Sequence, residues 1–142
     1  MKKHIYPILL LLICLILSFY FAEDQSETTV EVSAESLWYS FKYDSDMAES
    51  TYENKQVIVT GEIAEPPAMF MQQLCILLEN GEDSIPDGIF CMFPADYDAH
   101  SYNVGDTISV YGKCNLAIQI AGDNSNPFIF IEDACMHETN IN

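Results

Sequence analysis

Two runs of alternating apolar residues each end on a glycine, and together they constrain the fold more than any other feature of the chain. The first, Tyr52-Glu-Asn-Lys-Gln-Val-Ile-Val-Thr-Gly-Glu-Ile63, passes from the end of a helical pattern into a strand. Val57, Val59 and Ile63 fall on one face of it, and Ile58, Thr60 and Glu62 on the other. The second, Gly105-Asp-Thr-Ile-Ser-Val-Tyr-Gly-Lys-Cys114, repeats the alternation and again meets a glycine. Glycine inside a strand suits a sharp bend in a small barrel. Two bent strands are therefore expected to frame the domain.

The remaining elements hang on that frame. Ser33 can open a helix, with Glu35 in its first turn and Leu37, Phe41, Ala48 and Tyr52 on one stripe. Asp44, Asp46 and Glu49 are expected in solvent, and Trp38 at the edge of the packing. After the first strand, Glu65-Pro66-Pro67 forces an extended loop, followed by the apolar Met69-Phe-Met71. Further strands are expected at Leu74 to Leu78, Ile89 to Phe93, Thr107 to Cys114 and Phe128 to Glu132. The acidic stretch from Glu79 to Gly88 reads as a hairpin loop, and Gly122 to Pro127 as a turn.

One helix followed by five strands, the first and fourth kinked at glycine, reads as a mainly β chain: a five-stranded OB-type Greek-key barrel preceded by one amphipathic α-helix. Ser33-Ala-Glu-Ser-Leu37, Phe41, Asp44, Ala48, Tyr52, Lys55, Val57-Ile-Val-Thr-Gly61, Cys91-Met-Phe93, Gly105-Asp106, Val110-Tyr-Gly-Lys-Cys114 and Cys135 lie in an order and spacing that resemble the tRNA_anti-like family. The resemblance spans Ser33 to Met136 and implies an OB-fold domain, in a family named for a distant likeness to anticodon-binding modules.

The charge balance bears on the partner. The chain has 22 acidic residues, five lysines and no arginine, for a formal charge of −17. Two of those lysines, Lys2 and Lys3, precede an apolar N-terminal run. Such a field repels phosphate backbones, which need several cationic contacts, so nucleic acid is disfavoured as a partner.

The run from Ile5 to Ala22 carries no charge, lies behind Lys2, Lys3 and His4, and is followed by Glu23, Asp24 and Glu27. That order keeps the positive end inside and sends the acidic domain across a membrane. Residues 1–22 thus read as a signal-anchor or a cleaved signal, with a lipid-modified Cys14 as a third reading. Residues 23–32 read as a polar tether, 33–137 as helix plus barrel and 138–142 as a tail. The expected location is extracytoplasmic, anchored through residues 5–22, or secreted if the segment is removed.

Outside that segment four cysteines remain, Cys75, Cys91, Cys114 and Cys135. An even number in an oxidising compartment reads as a disulfide framework, and of three connectivities Cys75 with Cys91 and Cys114 with Cys135 is preferred, provided the hairpin centres near Asp83. Buried free thiols are the other structural reading. Zinc would draw on Cys135-Met-His137 with Cys114 and His100, but no Cys-x-x-Cys is present, so no metal or cofactor is expected. The acidic clusters Asp44-Ser-Asp46, Glu79 to Asp87, Asp96-Tyr-Asp98 and Asp123-Asn-Ser-Asn126 lack the spacing of a calcium loop and read as solvated faces. No nucleophile motif or phosphate-cradling loop occurs, and the expectation is a protein without a catalytic role.

Two classes of function follow. A tethered binding module would use the usual OB surface, here Met69, Phe70, Phe90, Phe93 and the loop around Asn124, for a protein, peptide, saccharide or cationic ligand. A single-stranded nucleic-acid binder, as the family's name suggests, would need a basic groove, for which Lys42, Lys55 and Lys113 are few.

Overall fold

The computed structural model describes residues 28–82, 88–99, 101–117 and 126–138. The apolar N-terminal segment, most of the tether, Asn124, His100 and the tail beyond residue 138 lie outside the described residues. Nine elements follow one another: β1 (Val30–Ser33), α1 (Ala34–Tyr43), α2 (Ser45–Tyr52), β2 (Gln56–Glu62), β3 (Ala68–Phe70), β4 (Gln73–Glu79), β5 (Gly88–Phe93), β6 (Thr107–Ala117) and β7 (Phe128–Met136). Neither helix is long and apolar enough to cross a membrane.

The strands form one mixed sheet in the order β1-β2-β6-β7-β5-β4-β3, with β1 parallel to β2 and β5 parallel to β7. The sheet curls until its two halves meet: Ile63, just past β2, bridges to Leu78 of β4, and the Ala64 N–H donates to the Leu77 carbonyl at 2.8 Å. Gly61 sits at that pinch. A Cβ there would stand 2.7 Å from Ala34 Cβ and 3.3 Å from Leu78 Cβ, so the first glycine serves close approach of α1 and β4 to the strand.

The expected single helix is two. Ser33 caps α1, its Oγ accepting from the Ser36 N–H at 3.1 Å. Asp44, at φ −145°, ends α1, and its carboxylate caps α2 by accepting from the Met47 N–H at 3.3 Å. A carboxylate that competes for backbone N–H groups starts a new helix there. The apolar stripe survives the break: Leu37, Phe41 and Ala48 are buried against the sheet. Trp38, expected at the edge, is fully buried. Lys42 lies over its ring, 4.3 Å from the centroid, and is held there by Glu82 at 3.0 Å.

Two further strands were hidden from sequence reasoning. The end of the supposed tether is β1, whose Val30 and Val32 alternate with Glu31 and pair with Val57 and Val59. The apolar residues after the Pro-Pro break form β3, turned back onto β4 by Met71 and Gln72.

Cys75, Cys91, Cys114 and Cys135 are free thiols, not the two bridges expected. The β4–β5 hairpin pairs Cys75 with Met92 and Cys91 with Ile76, one residue out of the expected register. That single step sends the two sulfurs to opposite faces of the sheet. Cys114 is buried opposite Ile131, whereas Cys135 is exposed opposite Tyr111. The face-to-face approach that a disulfide needs is therefore missing at both pairs.

Candidate ligand-binding face

Ile129 and Ile131 of β7 and Ile89 and Cys91 of β5 point into the core, so the residues between them point out. Four phenylalanines meet on that outer side. Phe90 and Phe130 are register partners with ring centroids 5.3 Å apart. Phe128 lies 6.0 Å from Phe90, and Phe70, at the end of β3, reaches to 6.3 Å from both Phe90 and Phe130. Phe70 and Phe128 are each about two-fifths exposed, at 43% and 41%. Rings gathered in water rather than in the core leave apolar area for something else to cover.

Beside the quartet runs a groove of about 600 Å³ lined by Met71, Gln73, Met92, Phe130, Glu132 and Asp133. Its acids owe their position to a defect in β7. Asp133 and Ala134 stand between the Glu132–Lys113 and Cys135–Tyr111 pairs, opposite Gly112 alone. Asp133 takes φ +51°, a left-handed conformation that few residues besides glycine, asparagine and aspartate adopt. Regular alternation would turn Asp133 inward behind Glu132. The extra residue instead leaves both carboxylates in solvent and gives the core position to Ala134. Asn115 of β6 donates to Glu132 and steadies the first of them.

At the other end of the groove, Met71 and Gln72 hold φ +48° and +66° in the two-residue turn between β3 and β4. Left-handed residues other than glycine cost on the order of 1–3 kcal/mol each and gather at ligand clamps. Met71 is 76% exposed at the tip of this turn.

The expected site residues divide. Phe70 and Phe90 belong to the quartet. Met69 points to the other side of β3, where it lines a second groove of about 420 Å³ with Leu74, Tyr97 and Tyr102. Phe93 is core, fully buried with Tyr97 against it at 4.6 Å, because it falls on the inward side of β5 with Ile89 and Cys91. Phe128, Phe130, Met71, Met92, Glu132 and Asp133 were missed. The alternation in Phe128-Ile-Phe-Ile131 marks two faces but does not say whether the isoleucines or the phenylalanines take the core.

The three buried thiols, Cys75, Cys91 and Cys114, are poorly suited to nucleophilic chemistry. Burial pushes Cys75 up to about 11 and Cys114 up to about 12, and raises Cys91 further. Among the described residues no three His, Cys, Asp or Glu side chains converge to hold a metal ion.

Comparison with known proteins adds a family. The tRNA_anti-like family model matches residues 1–122. No curated protein matches the chain. Among solved structures, the chain is similar to one assigned as an aspartyl-tRNA synthetase from Leishmania major Friedlin, at 8% identity and a TM-score of 0.42. That match covers 81% of this chain and 22% of the other.

Proposed function

The chain belongs to the tRNA_anti-like family, and on that premise we propose that it is an OB-type binding module, held outside the cytoplasm by its N-terminal apolar segment, that acts by binding rather than catalysis. The connectivity supports the barrel: β2, β4, β5, β7 and β6 are linked in a circuit through the Ile63–Leu78 bridge, with β1 and β3 as additions at its margins. Such barrels bind their ligands on one outer face of the sheet and its bordering loops.

The observation that carries the reading is the quartet of Phe70, Phe90, Phe128 and Phe130, packed on one another yet open to solvent. Its test is panning a peptide phage library on the full chain in mild detergent and on a Phe128→Ser, Phe130→Ser variant. Selected peptides should lose about tenfold or more in affinity on the variant, the usual penalty for removing aromatic anchors. Peptides that bind both proteins alike would sink the reading.

A second reading keeps single-stranded nucleic acid, because exposed aromatic rings on a barrel face are what bases stack on. The acidic balance of the chain weighs against it. Binding of a (dT)12 oligonucleotide at about 150 mM salt, lost in the same variant, would favour it over the first.

A further inference from the structure

Resting on that reading of the outer face, we infer that the adjoining groove takes a lysine or arginine side chain from an extended, basic and apolar segment of a partner protein. The groove combines three features that a cationic side chain uses at once. Met71 and Met92 offer soft apolar walls for its methylene stem. Phe130 brings an aromatic ring to the lining, and a cation is attracted to such a ring. Glu132 and Asp133 place two carboxylates side by side, which the β7 bulge alone makes possible. Lys113 is the register partner of Glu132, so one cation already stands on this face; the second carboxylate leaves the groove net negative.

Charge complementarity selects this occupant. With 22 acidic residues against five lysines, the chain attracts cations over long range and repels anionic ligands. The groove opens directly onto the phenylalanines through the shared Phe130, so an apolar residue next to the cation would lie on Phe70, Phe90 and Phe128.

The test uses three probes, acetyl-Lys-Phe-Lys-Leu-Lys-amide, its glutamine counterpart and its glutamate counterpart, titrated into the full chain in mild detergent. The lysine peptide should bind, the glutamine peptide about tenfold or more weakly, and the glutamate peptide not at all. In a Glu132→Gln, Asp133→Asn variant, lysine-peptide affinity should fall several-fold toward that of the glutamine peptide, which itself stays unchanged. Equal binding of the lysine and glutamine peptides would overturn the inference and leave the aromatic face standing. So would lysine-peptide binding that the variant does not weaken, since the attraction would then belong to the overall charge. Failure of all three peptides, or binding that ignores Phe90→Ser and Phe130→Ser, would remove the aromatic face as well.

Discussion

Phe90 of β5 and Phe130 of β7 face each other across parallel strands with ring centroids 5.3 Å apart and planes inclined by 30°. Both are half-buried, whereas Phe128, on the same face two residues along β7, is 41% exposed. The quartet thus has a packed pair and more open outer members. Phe130→Ala should destabilise by about 1–3 kcal/mol, because it removes ring contacts to both Phe90 and Phe70. Phe128→Ala should cost less than about 1 kcal/mol, while still weakening peptide binding. Urea midpoints at unchanged slope measure the difference. Equal losses would mean that Phe128 is structural and the face closed.

The two-residue turn of the β3–β4 hairpin should respond in the opposite direction. Met71 and Gln72 occupy left-handed backbone that Asn-Gly adopts with little strain. Replacing the pair by Met71→Asn and Gln72→Gly should stabilise the protein by about 1 kcal/mol. The same change removes the Met71 thioether from the groove, so lysine-peptide affinity should drop as the urea midpoint rises. A double variant that loses stability would show that the native side chains compensate their own strain.

Much of the frame was legible because its causes are local. Ser33 caps a helix, Leu37, Phe41 and Ala48 recur at helical spacing, and Val57 and Val59 alternate, all of which the structure keeps. What stayed hidden depends on pairing between distant segments. Alternation in Phe128-Ile-Phe-Ile131 defines two faces, but the core face is chosen by the neighbouring strand, so Phe90 and Phe130 come into view only together. A one-residue step in the β4–β5 register was enough to separate Cys75 from Cys91. The bulge at Asp133 has no signature of its own, because the glycine that permits it, Gly112, lies on the opposite strand.

Gly112 and Gly105 stand within one strand and its approach, yet their glycines serve different ends. A Cβ on Gly112 would lie 2.6 Å from Ile131 Cγ2 and 2.7 Å from the Glu132 carbonyl oxygen. Gly112→Ala should therefore cost about 2–3 kcal/mol by overpacking, and it should weaken the lysine peptide by pushing Glu132 and Asp133 out of place. Gly105 has open space around it but φ +86°, so Gly105→Ala should cost only the left-handed strain, about 1–2 kcal/mol. Peptide binding should ignore that second change. If both variants bind the peptide as the parent does, the bulge does not position the carboxylates.

The thiols supply a prediction in pH. Burial raises Cys75 to about 11 and Cys114 to about 12 from an ordinary value of 9.0, and Cys91 shifts in the same direction. The folded state holds these protons more tightly than the unfolded chain, so it loses ground once the unfolded thiols begin to ionise. Stability from this source is complete below about pH 9 and falls as pH rises from there through 11 and 12. Cys114→Ala should flatten that alkaline decline while lowering stability at neutral pH through the lost sulfur. Maleimide at about pH 7.5, followed by peptide mapping, should mark Cys135 quickly and reach Cys75, Cys91 and Cys114 only in denaturant. A disulfide between Cys75 and Cys91 in the mapped protein would contradict the register of β4 and β5, and with it the outward placement of Phe90.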